Sequence, residues 1–308
     1  MTSPSCEAES RAPAWRALFR LPDFRRLWIV GLSIFVVRWL ETLAIGVFVY
    51  EASGSAFIVA MVTMLRVLPM GLFGAFIGAF AERLDRRHGL IAIMLGSLAT
   101  SLILGVLALA GQLAVWQLAL ASFINGISWA ADNPVRRALI GEVAGAARMG
   151  TAMSVDVGSN NASRMLGPTL GGVLLATAGI EGVFLIGAAL YVAGTVAAFR
   201  IEARSAAPPA APAPVLARIA EGIAVVRGDP RLIGTLVITL IFNLFGWPFT
   251  SMIPVIGRDQ LHLGPEGIGV LGSLDGIGAF AGAVLVALLA GPRHYALCYI
   301  GGVTLYLA

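Results

Sequence analysis

Residues 56–87, AFIVAMVTMLRVLPMGLFGAFIGAFAERLDRR, join a long apolar stretch to a cluster of arginines. A helix that crosses a membrane needs about 20 predominantly apolar residues, and the stretch before Glu82 supplies them. Arg83, Arg86 and Arg87 follow directly. Short loops rich in positive charge resist translocation and stay on the cytoplasmic side. The segment therefore predicts a membrane-spanning helix whose second end lies in the cytoplasm.

The same alternation of apolar stretch and arginine cluster continues along the whole chain. All 21 basic residues are arginine, and most of them occupy every second gap between apolar stretches. A composition of 58% apolar and 12% charged residues is too hydrophobic for a soluble domain of 308 residues. We therefore expect an all-α membrane protein with a cytoplasmic N-terminus. The predicted spans are 27–50, 56–80, 90–110, 114–131, 152–177, 182–199, 232–255 and 267–290, with a ninth starting near Tyr295.

The order of these spans predicts two bundles joined by a linker. Residues 1–26 form a cytoplasmic N-terminal arm, 27–199 a six-helix bundle and 232–308 a partial second bundle. The linker, 200–231, contains the Pro/Ala tract SAAPPAAPAP followed by a short helix at the membrane surface. The net charge of +4 fits an anionic inner leaflet and membrane lipids as partners, with no nucleic acid.

A short internal sequence repeat suggests that the two bundles are related. The hexapeptide GAFIGA at 74–79 recurs as GAFAGA at 278–283, and each copy precedes a basic turn. Such a repeat is typical of transporters built from duplicated halves, although small-residue packing motifs also recur by chance in apolar helices. We expect two pseudo-repeated halves, the second truncated, with about 9 of 12 spans present.

The arginine-rich loop after the second span carries the first family resemblance. It resembles the loop signature of the major facilitator superfamily, Gly-x-x-x-Asp-Arg-x-Gly-Arg-Arg, with Glu82 in the acidic position and Asp85 in the second glycine position. The resemblance implies a charged gating clasp between the halves, since acids and guanidinium groups at helix ends can pair in one state and release in the other. Simple positive-inside charge is the alternative. The clasp residues are Gly78, Glu82, Arg83, Asp85, Arg86 and Arg87.

The fifth span contains a second resemblance. Gly167-Pro168-Thr169-Leu170-Gly171-Gly172 resembles the Gly-Pro-x-x-Gly-Gly core of the superfamily's antiporter motif, with Ser154 and Ser163 at its two upstream glycine positions. Small residues along one face allow another helix to approach closely, which generic packing would also explain. Asn133-Pro134-x-Arg136-Arg137 and the turn at 50–56 resemble the branch that includes enterobactin and macrolide efflux proteins.

Charged residues inside the predicted spans are the candidate functional groups. Each costs about 2.5–3.5 kcal/mol at the centre of a membrane on insertion scales, so each should face a cavity or another helix. They serve either as structural ion pairs, as proton sites or as anchors for an anionic substrate. The proton-coupling candidates are Glu41 paired with Arg38, together with Asp156 and Asp275. The substrate-cavity candidates are Arg66, Asn160, Arg164, Trp39 and Trp129, with Asp156, Asn160 and Arg164 on one helical stripe.

These features favour a secondary transporter in the bacterial inner membrane. We expect export of a small drug-like or siderophore-like organic molecule in exchange for protons, with substrate bound near the midplane between the halves. The alternatives are uptake by proton symport and a non-transporting membrane fragment. The sequence offers no Ser/His/Asp set, phosphate loop or metal cluster, so we expect no enzyme, no cofactor and no metal. A full-length protein should be a monomer.

Overall fold

The computed structural model describes residues 14–81, 85–203, 224–289 and 295–307, and no β-strand occurs among them. The all-helical fold class predicted from the sequence is confirmed. The main helices are α1 (Ala14–Phe19), α2 (Pro22–Ser53), α3 (Ala56–Ala81), α4 (Arg86–Leu109), α5 (Val115–Ala144), α6 (Met149–Phe199), α7 (Pro230–Ile241), α8 (Trp247–Asp259), α9 (Pro265–Leu289) and α10 (Tyr295–Leu307).

Helix α2 forms the centre of the first bundle. It packs along α6, which also contacts α4 and α9, while α3 packs against α5. One apolar cluster joins α1, α2, α4, α5 and α6, and it includes the fully buried Leu18 of α1 and the almost fully buried Phe24. Part of the predicted N-terminal arm is therefore packed onto the bundle.

The α6 range contains two of the predicted spans as two helices that meet at a kink. At Gly179 the backbone adopts φ 68° and ψ −177°, and the helix reverses its course there. Glycine has no Cβ and tolerates this positive φ, which a branched side chain would resist. The kink lies in the gap between the predicted spans 152–177 and 182–199.

Two other spans differ from the sequence prediction. Helix α5 continues through Pro134 to Ala144, so the Asn133–Arg137 motif lies within a helix rather than in a loop. The predicted span 232–255 is interrupted by a π-helical turn at Phe242–Gly246. Proline at 248, just after this turn, has no amide hydrogen for the regular helical ladder.

By length and composition, three described helical segments can cross a membrane. They are Pro22–Ser53, Arg86–Leu109 and Ala146–Phe199, and three shorter apolar helices accompany them at Ala56–Leu72, Pro230–Ile241 and Leu297–Tyr306. Large apolar side chains are exposed around the bundle, as the lipid-facing surface of a membrane protein requires, for example Leu102, Ile103 and Val106 on α4.

The bundle has two distinct ends. We call the end that carries Arg86, Arg87 and Arg148 the arginine end, and the end that carries the turns at Gly54 and Gly111 the far end. Near the far end, another apolar cluster connects α2 with α8 and α9 through Leu43, Val47, Ile253 and Ile268.

Candidate functional site

A cavity lies between the first bundle and the helices α8 and α9. About 840 Å³ of space that no protein atom fills lies in it, part of which is open to solvent. Its lining residues come from six helices, four in the first bundle (α2, α3, α5 and α6) and two in the second (α8 and α9): Arg38, Trp39, Thr42, Leu43, Gly46, Thr63, Arg66, Val67, Trp129, Pro168, Thr250, Ser251, Ile253, Pro254, Gly272 and Asp275.

Most of the substrate-cavity residues predicted from the sequence do lie at this cavity. Arg66, Trp39 and Trp129 line it directly, and Arg164 reaches it through its contacts with Trp39 and Asp275. Asn160 does not belong to the lining of this cavity, so its predicted role there stays a prediction. Its Oδ1 atom is buried and has no hydrogen-bond partner among the described residues.

Arg38 and Arg66 are the two buried cations of the cavity wall, each with 8% of its surface exposed. The Arg38 guanidinium lies 4.5 Å from the centre of the Trp129 ring, and Arg66 Nη2 donates a 3.4 Å hydrogen bond to the backbone oxygen of Arg38. In the described part of the chain, no carboxylate lies within 4.0 Å of either guanidinium group. Both therefore hold positive charge beside the cavity.

Arg164 and Asp275 form an ion pair between α6 and α9. The guanidinium donates two hydrogen bonds to Asp275 Oδ2, at 3.1 Å from Nε and 2.6 Å from Nη2. Arg164 also lies 5.5 Å from the ring centre of Trp39. The predicted stripe of Asp156, Asn160 and Arg164 is therefore divided, because Arg164 pairs across the bundle interface instead of along its own helix.

Asp156 belongs to a separate buried network around Arg136. The fully buried Arg136 side chain donates to Asp132 on its own helix, with Nε 3.0 Å from Oδ1 and Nη2 3.2 Å from Oδ2, and also to Asp156 on α6. Its guanidinium lies 4.7 Å from the ring centre of Phe35 on α2. Arg136 follows the predicted span 114–131, and the structure places it inside α5 instead of in a loop after that span. Its neighbour Arg137 is half exposed and lies 3.7 Å from Asp156.

Asp132 and Arg136 are the site residues that sequence reasoning missed. They stand four positions apart, the spacing that places opposite charges side by side on a helix. The spacing would have indicated this ion pair only if the predicted span 114–131 had been continued as a helix past Pro134.

Glu41 on α2 is almost fully buried, with 1% of its surface exposed. Its Oε1 atom accepts a 2.9 Å hydrogen bond from Ser101 on α4, while Oε2 is buried without a partner among the described residues. Gly187 on α6 leaves room for it, since a Cβ there would lie 3.2 Å from Oε1. The predicted Arg38–Glu41 pair is not formed. Glu41 instead lies inside the first bundle, among α2, α4 and α6.

The small residues of the antiporter-like motif allow α6 to approach two helices at once. A Cβ on Gly171 would lie 2.8 Å from the backbone oxygen of Leu40 on α2. A Cβ on Gly172 would lie 2.3 Å from the backbone oxygen of Pro265 at the start of α9. A Cβ on Gly167 would lie 2.5 Å from the Cβ of Trp39 on α2. Pro168 lines the cavity and also contacts α9. The predicted close approach is present.

The upstream serines of this motif behave differently from its glycines. Ser163 is buried and donates to the backbone oxygen of Ser159, whereas Ser154 is exposed and donates to the backbone oxygen of Gly150.

Contact between α6 and α9 stops partway along the helices. From the far end it extends to Gly276, where a Cβ would lie 2.7 Å from the backbone oxygen of Arg164. Every α9 residue from Ile277 to Gly282 is exposed. A Cβ on Gly158 of α6 or Gly282 of α9 would meet no described atom within 4 Å. The two helices are therefore packed near the far end and separate towards the arginine end.

The far end also carries contacts between the bundles. Tyr50 donates to Asp259, and Arg258 lies 3.3 Å from Glu51. These pairs connect the end of α2 to the end of α8. They hold the far end together while the helices diverge at the arginine end.

The described part of the predicted clasp makes its contacts within the first bundle. Arg86 pairs with Glu142 on α5, and Arg87 donates a 2.7 Å hydrogen bond to the backbone oxygen of Phe199 on α6. Gly78 lies in α3, while Glu82 and Arg83 lie outside the described residues. No contact in the described regions tests the predicted pairing with the second bundle.

Asp85 has a local role at the start of α4. Its carboxylate accepts hydrogen bonds from the backbone amides of Arg87, at 2.9 Å, and His88, at 3.1 Å. Partial burial alone would raise the pKa of Asp85, but these amide bonds and the neighbouring His88 together hold that pKa below its usual value. Asp85 is thus the N-cap of the helix.

Comparison with known proteins agrees with this architecture. Residues 13–293 match the family model described as "transmembrane secretion effector". The macrolide efflux protein A of Streptococcus pyogenes is 22% identical over 267 residues, covering 86% of this chain and 66% of that protein. The staphyloferrin A transporter of Staphylococcus aureus (strain NCTC 8325 / PS 47) is 22% identical over 275 residues, covering 89% and 67%. The uncharacterised MFS-type transporter YfiS of Bacillus subtilis (strain 168) is 25% identical over 276 residues, covering 87% and 64%. The chain thus spans about two thirds of the length of these curated relatives.

Proposed function

Because this chain belongs to the transmembrane secretion effector family of the major facilitator superfamily, we propose that it exports a small organic molecule across the bacterial inner membrane in exchange for protons. The arginine end would face the cytoplasm, because arginine-rich loops resist translocation. Substrate would bind in the cavity between the two bundles, near the middle of the membrane. The relatives described as efflux proteins favour export.

The observation that carries the proposal is the partial contact between α6 and α9. They pack backbone to backbone near the far end and diverge beyond Gly276, with the cavity beside them. An alternating-access cycle requires a second state in which the arginine end closes and the far end opens. In this proposal the described arrangement is the state that is open to the cytoplasm.

Glu41 is the proposed proton site. One of its carboxylate oxygens is buried and has no hydrogen-bond partner in the described part of the chain, and the other accepts a hydrogen bond from Ser101 between α2, α4 and α6. Gaining or losing a proton there changes the net charge inside the first bundle. Such a change can bias the equilibrium between two states if they stabilise the charged carboxylate differently.

The register of α6 and α9 predicts the contact of the closed state. Arg164 lies opposite Gly276. The two helices run antiparallel, so six residues closer to the arginine end on each of them, Gly158 of α6 lies at the same level as Gly282 of α9. Both are small and both are free of described neighbours, so the backbones could meet there as they do at Gly172.

A cross-linking experiment tests the cycle without knowledge of the substrate. In a chain with Cys6 and Cys298 replaced by serine, Gly158→Cys with Gly282→Cys should form a disulfide in membranes, because closure brings the Cα atoms within about 7 Å. The control pair, Gly158→Cys with Gly234→Cys, joins helices that do not share this register. The cross-linking rate should change with pH, and Glu41→Gln should remove that dependence. Equal rates for both pairs would refute the closed state, and an unchanged pH dependence would refute the role of Glu41.

One feature favours uptake by proton symport as the second candidate. Arg66 on α3 is close enough to Glu41 on α2 to interact with it electrostatically. A proton on Glu41 would leave the cavity more positive and better able to hold an anion, so that proton and anion would travel together. Everted membrane vesicles with an acidic interior separate the candidates, because export by exchange predicts accumulation of substrate and symport predicts none.

A further inference from the structure

The charged residues around the cavity indicate which charge the substrate has. Four positions around the cavity are charged: Arg38, Arg66 and Asp275 line it, and Arg164 binds Asp275. The Arg164–Asp275 pair is neutral as a unit. The wall therefore presents the two guanidinium groups of Arg38 and Arg66 without a bound carboxylate among the described residues.

The nearest buried acids bind other groups directly: Asp132 and Asp156 bind Arg136, and Glu41 accepts a hydrogen bond from Ser101. Asp132 attracts Arg38 and Glu41 attracts Arg66 only from beyond ion-pair distance, so among the described residues neither guanidinium group has a carboxylate in direct contact. Removing a charge from water is costly unless an opposite charge compensates for it. A bound anion can supply that compensation to Arg38 and Arg66, and guanidinium groups bind carboxylates particularly well because their donors match both oxygens.

The aromatic residues of the cavity also disfavour a cationic substrate. Organic cations commonly bind over the faces of tryptophan rings. Here the Arg38 guanidinium already lies over Trp129 at 4.5 Å, and Arg164 lies near Trp39 at 5.5 Å. The protein's own arginines thus occupy the positions that an organic cation would take.

We propose that the substrate is an amphiphilic anion, with a carboxylate-type head and an apolar body. The head would bind Arg38 and Arg66, and the body would contact Leu43, Ile253 and Pro254, which also line the cavity. This assignment rests on the proposed transport function and specifies its substrate class. It holds for either direction of transport.

Two dyes with the same xanthene framework test the charge preference. Fluorescein is an anion and rhodamine 6G is a cation at pH 8. Binding to the purified chain in detergent is measured by fluorescence polarisation. We expect fluorescein to bind at least tenfold more tightly than rhodamine 6G. Arg38→Gln and Arg66→Gln should each weaken fluorescein binding at least tenfold.

Two further variants separate charge from folding. Arg66→Lys keeps the positive charge and should retain most of the binding. Arg25→Gln removes an exposed arginine away from the cavity and should bind as the unmodified chain does. Gel filtration and thermal unfolding establish that each variant is folded. If a glutamine variant fails to fold, the lysine variant and the comparison of the two dyes still decide the question.

The possible outcomes separate this inference from the proposed function. Equal or tighter binding of rhodamine 6G, no binding of fluorescein, or full fluorescein binding by the folded glutamine variants would overturn the anionic substrate. None of these results depends on the cross-linking of Gly158→Cys to Gly282→Cys. Conversely, failure of that cross-link would remove the transport cycle even if fluorescein bound as expected.

Discussion

Replacing Arg136 by methionine should destabilise the first bundle more than any other single loss of charge in the described helices. Arg136 has no exposed surface and its guanidinium group binds two carboxylates, one on α5 and one on α6. Methionine keeps much of the apolar volume but removes every donor. Asp132 and Asp156 would then remain buried without their cation, since Arg137 lies no closer than 3.7 Å.

The expected cost follows from the burial of the pair. Removing one partner from a buried ion pair typically costs about 3–5 kcal/mol, because an uncompensated charge remains in a poor solvent. Here two like charges remain, so the upper part of that range applies unless one carboxylate takes up a proton. A loss of about 4 kcal/mol lowers the equilibrium constant for folding by roughly a thousandfold.

Reversible unfolding in mixed micelles, followed by tryptophan fluorescence, measures this free energy. Arg137→Met is the matched control, because Arg137 is the next residue on α5 and is half exposed. Its ion pair should contribute less than about 1 kcal/mol. Adding Asp132→Asn and Asp156→Asn to Arg136→Met should restore much of the lost stability. Equal effects of the Arg136 and Arg137 substitutions would refute the buried network.

Three other predictions follow from local contacts. Gly172→Ala should lower the free energy of unfolding by about 1–3 kcal/mol, because the new Cβ would lie 2.3 Å from a backbone oxygen of α9. Gly96→Ala is the control: its Cβ would meet no described atom within 4 Å, so the substitution should be neutral or stabilising in the same unfolding assay. Asp85→Ala should cost about 0.5–2 kcal/mol of helix stability and speed hydrogen exchange in the first turn of α4. Because the pKa of Asp85 is lowered in the folded protein, the stability that the cap contributes should be complete above the ordinary aspartate pKa. That contribution should disappear as the pH falls through the lowered pKa. Tyr50→Phe removes the hydrogen bond to Asp259 and should increase labelling of a cysteine at residue 46 by reagents added at the far end.

The fold class was predictable from sequence because its determinants are local. A span needs only a sufficient run of apolar residues, and the side of each loop depends on its own arginines. The general location of the cavity was also predictable, since Arg66, Trp39 and Trp129 are polar or aromatic residues within spans and such residues avoid lipid.

The partners of the buried charges were not predictable, because they depend on which helices meet. Arg136 and Arg137 are adjacent, identical in chemistry and follow the same span, yet one is fully buried and the other half exposed. The difference arises from Phe35 and Asp156, which α2 and α6 bring from distant parts of the chain. For the same reason Arg164 pairs with Asp275, 111 positions away, rather than with Asp156 on its own helix.

The Arg164–Asp275 pair lies where α6 and α9 stop touching, and this position argues that it acts as a pivot. On one side are the backbone contacts of Gly172, and on the other are the separated Gly158 and Gly282. A rocking motion moves the two sides in opposite directions but changes distances least at the fulcrum, so the pair should persist in both states. Asp275→Asn should therefore lower stability without shifting the pH at which cross-linking of Gly158→Cys to Gly282→Cys changes. A shifted pH would show instead that the ion pair belongs to one state and helps to select it.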